Sequence, residues 1–163
     1  MHSSTNRPVS IRDLELVYRE RYSRFLRVAV AVLGDVERGR DAVHETFVRS
    51  IRSRVDYRGE GSLEAWVWRT HVNVCLTEKR HRAFSLDCVP EAAIEDEIAH
   101  WPEVRAAIAA LPERQRMTLF LRHYADLDYE EISSVLGVAR GTVAATLHAA
   151  HSKLRDVLGE VAR

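Results

Sequence analysis

Ala125–Leu154 reads ADLDYEEISSVLGVARGTVAATLHAAHSKL, and its punctuation sets what the chain can be. Asp128 is a helix N-cap, followed by Glu130 and Glu131, where the dipole of a first turn favours anions. Ile132, Val135 and Leu136 give that short helix an apolar stripe. Gly137 ends it, because glycine accepts the left-handed conformation a helix C-terminus often requires. Val138 plugs the corner. A longer helix then starts near Arg140–Thr142 and repeats Val143, Leu147, Ala150 and Leu154 on one face, at spacings of four, three and four. Helix, glycine corner, longer helix is the helix-turn-helix pattern, whose second helix can enter a DNA major groove. An ordinary helical hairpin in a bundle has the same outline, and the pattern alone leaves both readings open.

The remaining 133 of the 163 residues must be consistent with that corner. Hydrophobic residues make up 46% of the chain, enough to bury a core, and no apolar run approaches the roughly 18 residues of a membrane span. The N-terminus, MHSSTNRPVS, lacks a basic-then-apolar signal pattern, so a cytoplasmic protein is expected. Cys75 and Cys88 have no CxxC partner, which argues against a disulfide scaffold. The net charge of zero conceals an uneven distribution. Residues 1–84 hold sixteen Lys/Arg against eleven Asp/Glu, residues 85–103 hold six acids and no Lys or Arg, and residues 104–163 hold eight bases against seven acids. A basic first part points to a polyanionic partner.

Working outward, helical periodicity covers most of the chain. Ser10 or Asp13 can cap a helix running to Leu33 and closed by Gly34. A second helix is predicted from Val36 to Val55, with Ala42, Val43, Phe47 and Ile51 inward. Asp56–Ser62 is a loop with two glycines, and Ser62 caps a third helix reaching about Arg82. Residues 83–102, with Pro90, Pro102, Glu91, Glu95, Asp96 and Glu97, break the pattern and read as a linker. Pro102 begins a helix ending near Leu111, and Pro112 begins another ending near Ala125. The expected fold is all-α: two small helical domains, residues 10–83 and 103–163, joined by an acidic linker at 84–102, the second domain containing the helix-turn-helix. The acids Glu95, Asp96 and Glu97, between the basic helix 69–82 and the second domain, are expected to help keep the free protein compact.

Three segments then occur in order: RDAVHETFVRSI at 40–51, DYRGEGSLEAWVWRTHVNVC at 56–75, and LPERQRMTLFLRHYADLDYEEISSVLGVARGTV at 111–143. Together they resemble the extracytoplasmic-function (ECF) sigma factors of bacterial RNA polymerase, over about residues 12–158. The resemblance implies a transcription initiation factor that binds core RNA polymerase, recognises promoter DNA and helps open it, under control of an anti-sigma factor. It assigns polymerase binding to Asp41, His44, Glu45 and Arg49, with histidine at position 44 where the family pattern has glutamine. Asp41 and Glu45 lie one turn apart, an acceptor pair suited to arginines of a partner. Capture of the opened minus-ten element falls to Tyr57, Arg58, Trp66, Arg69, Asn73, Lys79 and Arg80. An aromatic ring for stacking, cations for phosphates and an amide for a base edge make a single-strand site. Thr77 and Glu78 depart from the family's acid-then-base pair.

The minus-thirty-five element would be read by Arg140, Thr142, Ala144, Ala145, His148 and Lys153. The departure is larger here, because the family's recognition helix carries several cations after G-T-V and this one carries alanines. Alanine can touch thymine methyls, but phosphate contacts supply much of DNA affinity. His148 and His151 add charge only when protonated. Nothing in the chain suggests an enzyme, a cofactor, a metal or a small-molecule substrate: there is no Gly-rich phosphate loop, no GxSxG and no ligand-spaced His/Cys set. Two rivals to the sigma-factor reading remain. One is a degenerate sigma-like regulator acting through protein contacts, favoured by the alanine-rich helix. The other is a dimeric helix-turn-helix repressor, disfavoured by the Asp41/Glu45 helix.

Overall fold

Helix α1, Ile11–Leu33, begins at a reciprocal cap. The Ser10 hydroxyl accepts from the Asp13 amide at 3.1 Å, and the Asp13 carboxylate accepts from the Ser10 amide at 2.9 Å. Gly34, at φ 73°, ends it. The structure is a computed structural model that describes residues 9–59, 61–83 and 102–161. Helix α2, Val36–Arg52, is capped by Asp35, which accepts from the Arg38 amide at 2.8 Å. It stops short of the predicted Val55. The Ser53 hydroxyl bonds back to the Arg49 carbonyl at 2.8 Å, and residues Arg54–Asp56 tighten into a 3-10 turn. Val55 is 74% exposed, so no burial sustains another α-turn. Ser62 caps α3, Leu63–Ala83, by accepting from the Ala65 amide at 3.0 Å.

The second half contains α4, Pro102–Ala109, α5, Glu113–His123, α6, Tyr129–Leu136, and α7, Arg140–Val161. Helix α5 ends before the predicted Ala125. The Tyr124 and Ala125 amides both donate to the Phe120 carbonyl, and Asp126 takes the left-handed conformation at φ 57°. Asp128 and Glu131 cap α6 reciprocally, as Ser10 and Asp13 cap α1. Gly137, at φ 65°, turns the corner, and the Ser133 hydroxyl bonds the Val138 carbonyl at 2.6 Å across it. No strand occurs among the described residues, and none of their helices is long and apolar enough to cross a membrane.

In the first domain α1, α2 and α3 pack on one another. Phe25 lies at their centre, its ring 4.0 Å from Trp68, 5.0 Å from His71 and 5.5 Å from Phe47 between centroids. Trp68 is buried, whereas Trp66 is half-buried. At Gly39 α2 comes so close to α1 that a Cβ there would lie 2.7 Å from Val30 Cγ2. The second domain closes over Leu121 of α5 together with Ile132, Val135, Val143, Leu147 and Ala150 from the expected inward faces of α6 and α7, with Leu136 and Leu154 half-buried. The domains are not apart: α3 packs against α6, α1 touches α5, and one cluster of buried side chains runs through both. The expected compactness is therefore present, carried by helix packing. The acids Glu95–Glu97 lie outside the described residues.

His71 is fully buried. Its Nε2–H donates to the Phe25 carbonyl at 2.9 Å, so Nδ1 is the acceptor, 2.9 Å from the Thr46 hydroxyl. Burial pushes its pKa down from 6.5 to about 4, with the bond to Phe25 pulling the other way. The folded protein therefore binds fewer protons here than the unfolded chain. The neutral ring contributes its full stability above about pH 6.5 and loses it as pH falls towards 4. The shift corresponds to something on the order of 3 kcal/mol. Denaturant unfolding between pH 7.5 and 4.5 should show stability falling with acid, and His71→Gln should flatten that fall at some cost at neutral pH.

Candidate functional site

Two surfaces of the first domain and one of the second carry the predicted residues. On α2, Asp41 and His44 are exposed, while Glu45 and Arg49 already pair with each other at 2.6 Å, each side chain nearly half exposed. Asp41, Glu45 and Arg49 border a groove between α2 and α3 that also includes Arg38, Thr77, Glu78 and His81. Arg38 and Glu78 cross it at 2.6 Å. Glu78, where the sequence departs from the family pattern, thus ties α3 to α2. That use was invisible in sequence, because forty positions separate the partners.

The loop after the 3-10 turn is closed by Tyr57, whose hydroxyl donates to the Gly61 carbonyl at 2.8 Å. Its half-buried ring lies 5.6 Å from Trp66 between centroids. Arg58 is exposed. Along α3, Trp66, Arg69, Asn73 and Arg80 fall at helical spacings of three, four and seven, on one stripe. Asn73 and Arg80 face solvent. Arg69 donates to the Ser134 carbonyl of α6 at 2.7 Å. Lys79 lies off the stripe, 3.6 Å from Glu113 of α5. Burial and nearby Arg116 push its ammonium pKa down, against the pull of Glu113. The structure thus gathers an aromatic pair, a loop and a cation/amide stripe into one surface, and turns Lys79 towards the second domain instead.

On α7, Arg140, Thr142, Ala145, His148 and Lys153 are exposed and Ala144 is half-buried. Arg140 shares a cleft with Arg122, Asp128, Tyr129 and Glu130 at the start of the helix. His151 faces His123 of α5, with their Nε2 atoms 3.3 Å apart. Burial, then His151 and Arg122, lower the His123 pKa, so His123 adds no standing charge at neutral pH. The permanent cations of α7 with described side chains are Arg140, Lys153 and Arg155, all exposed.

Comparison with known proteins follows this division. Residues 17–84 match the family described as sigma-70 region 2, and residues 102–154 match sigma-70, region 4. The ECF RNA polymerase sigma factor SigE of Mycolicibacterium smegmatis is 33% identical over 159 residues, covering 90% of this chain and 61% of that one. The chain thus spans less than two thirds of that relative's length. The ECF RNA polymerase sigma factor EcfG of Rhodopseudomonas palustris is 27% identical over 138 residues, covering 80% of this chain and 76% of that one. Two solved structures share the fold over both domains. The sigma factor RpoE of Bartonella quintana, in complex with the anti-sigma factor NepR, superposes with a TM-score of 0.71 at 18% identity, covering 91% of this chain and 95% of that one. CnrH, in complex with the cytosolic domain of CnrY, gives 0.73 at 20% identity, covering 93% and 90%.

The charge content of α7 makes a quantitative expectation. Three phosphate contacts at most from this helix give a logarithmic salt slope of about three on duplex DNA. Ala145→Arg with His148→Lys, both at exposed positions, should steepen the slope by up to about two and tighten binding at low salt. A salt titration of the full-length protein on a duplex promoter fragment measures it, and an unchanged slope would show that this face of α7 does not meet DNA.

Proposed function

The chain belongs to the ECF sigma factors, and from that premise we propose that it binds core RNA polymerase, directs it to a promoter and helps open the duplex. The single observation that carries this reading is the stripe Trp66, Arg69, Asn73 and Arg80 beside the loop closed by Tyr57. It offers a stacking ring, phosphate-pairing cations and a base-reading amide on one rigid helix. No bond-making group is needed at such a surface: the factor recognises and holds the opened strand, and polymerase performs the chemistry.

The residue roles are divided as follows. Residues 10–83 dock on polymerase and capture the minus-ten element, residues 84–102 connect, and residues 103–163 read the minus-thirty-five element. Asp41, His44, Glu45 and Arg49 form the polymerase contact, in which a partner arginine would compete with Arg49 for Glu45. Tyr57, Arg58, Trp66, Arg69, Asn73 and Arg80 hold the single strand, with Lys79 available once it leaves Glu113. Arg140, Thr142, Ala144, Ala145, His148 and Lys153 meet the duplex, mainly through apolar and hydroxyl contacts. An anti-sigma factor is the natural regulator, as in the complexes formed by RpoE with NepR and CnrH with CnrY. The site of action is the cytoplasm, where polymerase and promoter are found.

A sigma-like regulator working only through protein contacts is the second reading, favoured by the alanines of α7. Run-off transcription with purified core polymerase on a genomic fragment library separates the two: the initiation factor yields discrete starts and the second reading yields none. Asp41→Lys with Glu45→Lys should weaken core binding by about 1 kcal/mol if the contacts stay exposed, and by several if they are desolvated in the complex. Unchanged affinity with an intact fold would remove polymerase docking from this face of α2. Arg58→Ala, Asn73→Ala or Arg80→Ala should each cost more transcription than Thr142→Ala or His148→Ala.

A further inference from the structure

We infer that His123 and His151 form a two-imidazole zinc site on the outside of the second domain, one that ties the end of α5 to α7. Twenty-eight positions separate the two residues, so their meeting is a product of the fold. Their Nε2 atoms lie 3.3 Å apart. Zinc takes imidazole nitrogens at about 2.0–2.1 Å, and two such ligands at a tetrahedral angle stand about 3.3 Å from each other. Two adjacent ligands of an octahedral ion at the same bond length would stand about 2.9 Å apart, so the spacing favours zinc over ions that prefer six ligands. The ring centroids are 5.6 Å apart, which puts the nitrogen ends of both rings, and not their faces, into the gap. Tilting each ring brings both lone pairs onto one ion.

Both residues reach solvent, so an ion has a path in. Zinc requires a neutral ring, the state in which partial burial, His151 and Arg122 hold His123. Without metal, the Nε2–H of one ring donates to the bare Nε2 of the other. Zinc takes the place of that proton, which moves to Nδ1 of the same ring, so that both Nε2 lone pairs face the ion. No group of three or more His, Cys, Asp or Glu side chains able to hold a metal gathers among the described residues, so water completes the shell and the ion exchanges readily. The site falls where α7 leaves its support. Ala150 is the last fully buried residue described in that helix. From His151 to Gly159 every residue is half-buried or exposed, Val157 at 43%. His123 is the final residue of α5. An ion shared by the two rings pins the overhang of one helix to the end of the other.

The test uses the full chain with Cys88→Ser, which removes a thiol that would compete for zinc, while Cys75 is buried. Equilibrium dialysis against micromolar to millimolar zinc chloride should find zinc bound, and the ion should raise the unfolding midpoint by a few degrees. His123→Ala and His151→Ala should each weaken binding about tenfold or more and remove the rise. His148, one turn before His151 on α7, is the control: a pair within α7 alone would need His148 and would not need His123. His148→Ala should therefore keep both effects. Midpoints without zinc should match the parent's, so that loss of zinc is not loss of fold. Where a variant does unfold, the ring-nitrogen NMR signals of the parent decide, since both Nε2 signals must move with zinc. Binding that survives His123→Ala is adventitious zinc only and overturns the site. An absence of binding at millimolar zinc overturns it too, and leaves the two rings as a hydrogen-bonded pair.

Discussion

Phe25 and Trp68 meet where α1 crosses α3, their ring centroids 4.0 Å apart and both side chains without solvent exposure. Truncating either ring to alanine in such a core costs about 3–5 kcal/mol, a large share of a small domain's stability. More than stability depends on this contact. Val67, Trp68, His71, Val72, Val74 and Cys75 are all buried, so α3 is gripped from several sides and cannot rotate. The stripe carrying Trp66, Arg69, Asn73 and Arg80 is what that grip leaves outward. The proposed strand-binding surface is thus the complement of the core, and its spacing is as fixed as the packing beneath it.

Helix boundaries were largely legible because they rest on local chemistry. The caps at Ser10, Asp35, Ser62 and Asp128, and the left-handed glycines at 34 and 137, act within four residues of themselves. The two misplaced ends, at Val55 and Ala125, are also instructive. At the first, an exposed valine gives no reason to continue a helix that Ser53 has begun to unwind. At the second, Asp126 adopts a left-handed turn that periodicity cannot foresee. The inward faces of α2, α6 and α7 followed from spacing alone. α3 did not separate into two clean faces, because it is buried on more than one side, and so the sequence could not say which of Trp66 and Trp68 was core.

The candidate site was legible as a set of residues and illegible as an arrangement. Family resemblance supplied the positions, and helical spacing placed four of them on one stripe. Which cations are already engaged depends on contacts between distant parts of the chain: Arg38 with Glu78, Arg69 with Ser134, Lys79 with Glu113. Each pairs a residue that reads as free in sequence with a partner in another helix. Counting charges in the sequence therefore overstates what the first domain can offer a polyanion while the domains are packed.

Gly39 sets a different kind of limit. With Val30 Cγ2 only 2.7 Å from where a Cβ would sit, α2 rests against α1 with no more than a hydrogen atom between them. A methyl group at that point fits only if the Val30 and Leu26 side chains turn aside or the two rods move apart. A shift of the rods would swing Asp41 and Glu45, on the turns just beyond, away from where the rest of the domain presents them. A paralogue carrying alanine at position 39 could keep every side chain of the proposed polymerase contact on α2 and still present them at the wrong angle. The fit of that proposed contact would then have been altered by a residue that lies outside it.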